Sequence, residues 1–464
     1  MDGTGYTEKQ QSILLAATCT GSIINPLLST MMNLSLVSIG DEFGVGSRFL
    51  ALVNTVFFLA SVVCMVPLAR WASISGLKKV FRLGTALIAV AALAAAFSPS
   101  FWFLLAMRFV MGAASAAVVS TAVTMIIEVF PIHRRGWAVG MNTMVAYLGL
   151  ALGPVIGGTL SDLIGWRAML GVIAPFALFS LAMSAHFPAE IRLTPGERMD
   201  YKGTALWCAA ILLSMSGLVG ITDIWGLPVL VLGLLVLFIA CRYLLRTPQP
   251  VLQVAMFKGK LFRRSCIATF LNYGGTYSVS FFLALYLQSI GELSATAAGF
   301  ILLIQPLIQS LLTPRFGALF DRIRDRRILP TLGMAVFCLG LLQFQFLTVT
   351  YSLAQVVLIL VTLGVATGIF AAPNTTTVLT AVPHEYQGES SGTLAVVRQA
   401  GIMFSMALAM ACIAVIMGSA DNLNPATWDE FVDVIHLDYA IAFALCLVGT
   451  VLSWARGNQS SADR

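Results

Sequence analysis

The chain has 464 residues, of which 58% are hydrophobic and 10% charged, with a formal net charge of +6. Soluble domains carry about 25% charged residues, and here the apolar excess runs from end to end, which excludes a soluble domain on a single anchor. The basic surplus is scattered in short segments between apolar runs rather than gathered in one patch, which argues against nucleic acid as a partner.

The start, "MDGTGYTEKQQ", lacks a positive n-region, and the apolar run after it is too long for an h-region, so no cleavable signal is expected. A helix needs about 20 apolar residues to cross a hydrocarbon core of ~30 Å. Fourteen runs meet that measure: 12–39, 49–69, 80–98, 101–128, 137–160, 167–186, 203–221, 226–244, 265–288, 297–314, 328–347, 353–377, 393–417 and 438–455. None alternates in segments of about ten residues, as barrel strands do. The expected fold class is an all-α polytopic membrane protein. The eight cysteines fall inside these runs without a CxxC pair and read as small packing residues.

With both termini on the cytoplasmic side, the inner loops hold Arg70, Lys78, Lys79, Arg82, Arg134, Arg135 and the basic residues of 187–202, 242–264 and 315–327. The outer connections hold Arg48 and Arg167 against Asp41, Glu42, Asp162, Asp223, Glu292, Asp421, Asp429, Glu430, Asp433 and Asp438. That asymmetry is the positive-inside bias of a multi-pass protein of the cell membrane.

Two basic, proline-bearing linkers, 187–202 and 245–264, divide the chain into a six-span bundle (1–187), a segment with two additional spans (188–264) and a second six-span bundle (265–464). A weak repeat supports duplicated bundles. "PLARWASISGLKKVFRLG" after span two and "PRFGALFDRIRDRRILPTLG" after span ten each run proline, basic loop, glycine.

Two features inside spans stand out. Arg108 lies about two turns into span four, where a bare charge costs at least ~2.5–3.5 kcal/mol, so it needs a partner or a watery cavity. In span five, "GLALGPVIGG" places Gly149, Gly153 and Gly157 four residues apart, with Gly158 and Ser161 following. Small residues in such a stripe let helix backbones approach closely, and Pro154 removes a helix hydrogen bond and is expected to bend the span. By themselves the glycines fit a static packing seam as well as a moving contact.

Taken in order with "LLAMRFVMG", "PIHRRGWAVG", "GWR", "GALFDRIRDRR" and "AAPNTTTVLTAVPHEYQGESSGTLAVVRQAG", this stretch resembles the major facilitator superfamily, in particular its fourteen-span drug/proton antiporter branch. The Gly-x-x-x-Gly-Pro-x-x-Gly-Gly pattern resembles the antiporter motif of efflux members. The resemblance links Arg108, one turn before Gly112, to proton transfer. It also implies two departures. The aspartate that branch members carry in span one is Leu28 here, although Thr30 and Asn33 are kept. In the loop after span two the family's aspartate and arginine are Ser73 and Ile74, whereas the second copy keeps Gly317, Asp321 and Arg322. Glu128, near the inner end of span four, is then a candidate titrating acid, and an inner lock is expected to lean on Asp321, with Arg324, Arg326 and Arg327 in a solvated basic loop.

The pocket candidates are polar residues inside spans: Asn33, Asn142, Tyr147, Asn272, Tyr273, Tyr277, Gln305 and Asn374, on spans that line the central cavity in that fold. Phe281, Phe282, Met141 and Met144 suit a shape-tolerant apolar lining. The function implied is proton-coupled efflux of hydrophobic or amphiphilic small molecules, by one chain acting alone, with the proton gradient as energy source and no cofactor. The missing span-one aspartate keeps open a facilitator, or a transporter of a small organic metabolite not coupled to protons. Enzyme and pump readings are poor: the four histidines lie in loops or at span ends, and no HExxH or GxxxxGK[ST] occurs.

Overall fold

The computed structural model describes residues 6–194, 196–221, 223–382, 387–418 and 425–456, with the backbone alone at 47, 48, 132, 133, 135, 136, 321, 387–389 and 391. Helices are the only regular secondary structure among those residues. The chain divides into two compact units, 1–44 with 52–213 and 233–251, and 45–51 with 214–232 and 252–464.

The first unit is built mainly from α1 (Glu8–Leu34), α2 (Leu36–Phe43), most of α3 (Ser47–Ser75), α4 (Leu77–Ala96), α5 (Phe101–Val129), α6 (Ile132–Leu163) and α7 (Trp166–His186). Local chemistry sets several of the boundaries. Thr7 and Gln10 form a reciprocal capping box that opens α1. Ser100 caps α5 by accepting from the Phe103 N–H at 3.3 Å. Gly44 closes α2 with φ +63, and Gly76 turns the chain between α3 and α4 with φ +130, a conformation that disfavours a side chain. Here α1 packs on α6 and α7, and α4 on α5 and α7.

The two additional helices, α8 (Tyr201–Val219) and α9 (Gly226–Leu244), lie against each other, Gly217 of α8 meeting the Leu230 backbone of α9. The outward face of α9 is apolar, through Leu227, Val231, Leu234, Leu235 and Phe238. The second unit contains α10 (Lys260–Ser289), α11 (Ala295–Leu302), α12 (Ile304–Arg322), α13 (Ile328–Gln343), α14 (Leu353–Thr380), α15 (Gln387–Ile416) and α16 (Trp428–Trp454). Its neighbour pattern repeats that of the first unit: α10 packs on α15 and α16, and α13 on α14 and α16.

Among the described residues, thirteen helices are long and apolar enough to cross a membrane. The exception among the fourteen expected runs is 265–288. It is a helix of 30 residues, α10, but Asn272, Tyr273, Tyr277 and Ser278 lower its hydropathy. The run at 297–314 is divided at Leu303 into α11 and α12, and that at 12–39 at Ser35 into α1 and α2. In contrast, α6 continues as a helix through Pro154.

Candidate functional site

In the first unit the centre of polarity is Arg108. It is fully buried on α5 and donates to neutral acceptors on two other helices: Nε to the Val53 carbonyl at 3.0 Å, Nη1 to the Leu28 carbonyl at 3.1 Å and Nη2 to Asn54 Oδ1 at 3.2 Å. The Phe57 ring lies 4.5 Å from the guanidinium carbon, within cation–π reach. Asn54 Nδ2 donates in turn to Asn33 Oδ1 at 2.6 Å. Two candidates from the sequence, Arg108 and Asn33, are therefore joined through Asn54, which was not among them. Leu28, the residue at the family's aspartate position, still meets Arg108, through its backbone carbonyl.

The α6 stripe lies on α1. A Cβ at Gly149 would stand 2.7 Å from Ile23 Cγ1, one at Gly153 would collide with Thr30 Oγ1, and one at Gly157 would stand 2.7 Å from Met31 Cα. Gly149, Gly153, Pro154, Gly157 and Gly158 are all buried. Two polar atoms near this seam have no hydrogen-bond partner among the described residues, Asn33 Nδ2 on α1 and Asn142 Oδ1 on α6. Tyr147 is half-buried on α6, and Met144 is 50% exposed. Glu128 is exposed in the last turn of α5.

The connection between α3 and α4 is not without acids, although Ser73 stands at the family's aspartate position. The linker after α7 supplies its own carboxylates and backbone: Arg70 pairs with Glu197 at 2.6 Å, Glu190 lies against Gly76 and accepts from the Lys79 N–H at 3.3 Å, and Leu77 N–H donates to Ile191 O at 2.8 Å. Ser73 accepts through its carbonyl from Leu193 and Thr194. In the second copy the side chain of Asp321 lies outside the described residues and Arg322 is exposed. The ion pair there is Arg327 with Asp325 at 2.8 Å, the guanidinium also lying over Trp454, so Arg327 is anchored rather than freely solvated.

At the far end of the first unit, Glu42 accepts from Trp166 Nε1 at 2.8 Å and from Arg167, which also donates to the Ser98 carbonyl at 3.0 Å. The Arg167 hydrogen bond holds the Glu42 carboxyl below the usual carboxylate range. A depressed folded-state pKa stabilises at pH above the unfolded value, about 4.3, and that contribution is lost as pH falls through the folded value. Melting measured from neutral to acid pH is expected to show a stabilising increment in the native protein that Glu42→Gln lacks; parallel curves would refute it.

In the second unit Asn374 is buried and fully engaged. It donates to Thr269 Oγ1 at 2.7 Å and accepts from Arg456 Nη1 at 2.8 Å. Arg456 is itself buried and donates to Ser265 Oγ at 3.0 Å, fastening the end of α16 to α10 and α14. Asn272 is buried with Nδ2 3.6 Å from Met334 Sδ, Gln305 is buried on α12, and Tyr273 lies under Arg398 at 5.9 Å. Tyr277 is half-buried on α10. The aromatic pair Phe281 and Phe282, expected at a pocket wall, is instead core: both are fully buried, Phe282 against Phe431 and Tyr439.

The largest departure is Asp438. Expected in an outer connection, it lies inside α16 at 1% exposure, and Ser278 Oγ of α10 donates to its Oδ2 at 3.0 Å. Ser405 Oγ of α15 accepts from the Ser278 N–H at 2.9 Å, so three helices meet at this carboxyl.

The sequence profile described as Major Facilitator Superfamily matches residues 18–406 and, again, 265–459. The chain belongs to the Major Facilitator Superfamily. This superfamily member is similar to the riboflavin transporter RibZ of Clostridioides difficile, 23% identical over 449 residues, 96% of this chain and 97% of the relative. It is also similar to the multidrug resistance protein Stp of Mycobacterium tuberculosis, 25% identical over 407 residues, 86% and 75% of the two chains. Among solved structures, a bacterial homolog of the human lysosomal transporter Spinster, inward-facing and unoccupied, superposes with a TM-score of 0.70 at 15% identity over 97% of this chain and 98% of that one. A peptide transporter POT in complex with sulfate gives 0.70 at 15% identity over 97% and 95%. The protein is thus a multi-pass membrane transporter, not an enzyme, and resembles multidrug-resistance members of its family.

Proposed function

We propose that this transporter exports hydrophobic or amphiphilic, drug-like small molecules, lipophilic cations among them, in exchange for protons. In this reading it works by alternating access as a single chain in the cell membrane, with fourteen spans including α10 and both termini cytoplasmic. The observation that carries the reading is the α6 glycine stripe seated on α1, in the pattern of the antiporter motif, in a chain similar to proteins named for multidrug resistance. The unpartnered amide atoms of Asn33 and Asn142 suit hydrogen bonding to a cargo, and specificity would rest on few polar contacts in an apolar lining.

The test is ethidium movement in proteoliposomes of the purified protein under an imposed pH gradient. Flux that follows the gradient supports exchange; flux indifferent to it removes proton coupling. A second reading has its own support, since Leu28 replaces the family's carboxylate and the similarity to a protein named a riboflavin transporter runs the length of the chain. Riboflavin uptake without a pH dependence, and no ethidium flux, would favour that metabolite carrier.

A further inference from the structure

Asp438 is the one Asp or Glu that is buried among the described residues. It stands ten residues into a helix of 27, roughly 15 Å along the axis at 1.5 Å per residue, far from either end. One hydroxyl, that of Ser278, satisfies Oδ2, and Oδ1 has no partner among the described residues. No lysine, arginine or histidine lies within ion-pair distance of it among those residues. Around it, α10 presents Ser278, α15 presents Cys412 and Ser405, and α16 itself presents Tyr439, whose ring is stacked on Phe344 at 3.7 Å. A hydrogen bond between helices needs only a serine or an asparagine. A carboxyl kept at membrane depth with a free oxygen and no cation costs more than that role requires, and such groups mark ion and proton pathways.

We propose that Asp438 is a proton-binding site of the transport cycle, with Oδ1 as the atom that takes up and releases the proton. This rests on the proton-exchange reading above. One O–H bond forms when Asp438 passes from carboxylate to neutral acid on the side of higher proton concentration, and the same bond breaks on the other side while cargo moves in the opposite direction. The charge at the site alternates between −1 and 0, and no other bond changes. Ser278 tunes the exchange, since its hydroxyl donates to the oxygen beside the titrating one. The chain would then house its proton in the second unit, away from the span-one position that Leu28 occupies.

Two measurements separate this proposal from the reading it rests on. Infrared difference spectra of the protein in lipid, taken across roughly pH 5 to pH 9, should contain a carboxylic-acid C=O band that Asp438→Asn removes and Ser278→Ala displaces along the pH axis. Identical spectra for the native protein and Asp438→Asn would overturn the site. Ethidium accumulation then reports coupling: one proton exchanged per ethidium supports at most about ten-fold accumulation per pH unit, and Asp438→Asn should bring that ratio to one. Accumulation by Asp438→Asn equal to that of the native protein overturns the proposal and leaves proton exchange standing. Absence of accumulation in the native protein overturns the proton-exchange reading and the proposal with it. Should Asp438→Asn fail to insert, Ser278→Ala decides: an unmoved band and an unmoved pH profile of flux count against the site.

Discussion

Arg108→Ala is expected to reduce transport to background and to destabilise the first unit by about 3–5 kcal/mol, through lost charged hydrogen bonds and the cavity left behind. The side chain holds α5 to α1 through the Leu28 carbonyl and to α3 through Val53 and Asn54, with the Phe57 ring beside it. Arg108→Lys separates charge from geometry. An ammonium keeps the positive charge but has no planar fork to reach acceptors on two helices at once. Losing one such bond, about 1.4 kcal/mol, corresponds to about ten-fold in rate. Ethidium flux in proteoliposomes should therefore fall at least ten-fold in Arg108→Lys, while the melting temperature falls less than in Arg108→Ala. Native flux in the lysine variant would show that the fork is not needed. Asn54→Ala should fall between the two, because it cuts the link from Arg108 to Asn33 and leaves both carbonyl contacts in place.

Both Arg108 and the glycine stripe could be read from the chain because each departs from its local background. A lone guanidinium in an apolar run, or small residues every four positions, is visible without any partner. Asn54 is different: its importance comes from Arg108 and Asn33, 54 and 21 residues away in sequence, and nothing beside it signals either. Asp438 was hidden by the way hydropathy windows work, since a span is trimmed back until the charge falls at its edge. Helical phase would have found it. Phe431, Ile435, Asp438, Ala442, Cys446 and Gly449 recur at helical spacing and are buried on one face of α16, so an acid in that register points inward. The carboxylates of Glu190 and Glu197 were missed for another reason. The degraded loop between α3 and α4 looked incomplete against the family pattern, and its acids come from a linker more than a hundred residues away. Phe281 and Phe282 show the converse error, because aromatic character alone does not distinguish a pocket wall from a packed core.

The glycines of α6 should differ in a way that only close backbone contact explains. At Gly157 an added methyl meets main chain, with Met31 Cα at 2.7 Å and Met31 O at 2.8 Å, so α1 and α6 must move apart. At Gly153 the obstacle is the hydroxyl of Thr30, with Thr30 Cβ at 3.1 Å, and a side chain can yield where a backbone cannot. Overpacking of this kind costs about 1–3 kcal/mol, up to roughly a hundred-fold in a rate that depends on the contact. Gly157→Ala is thus expected to lose most ethidium flux, and no shortening of the Met31 side chain should restore it. Gly153→Ala should lose less, and Thr30→Ala in the same chain should recover part of the loss by removing the colliding oxygen. Among the described residues that oxygen donates to the Pro26 carbonyl of its own helix at 2.8 Å and to nothing on α6, so its removal costs little elsewhere. Melting temperatures distinguish a rigid seam from a moving one. If α6 and α1 form a static contact, flux and stability fall together in both variants. If the contact slides during transport, Gly157→Ala loses flux out of proportion to its melting temperature, because a methyl that can be accommodated at rest must still pass the Met31 backbone at each turnover.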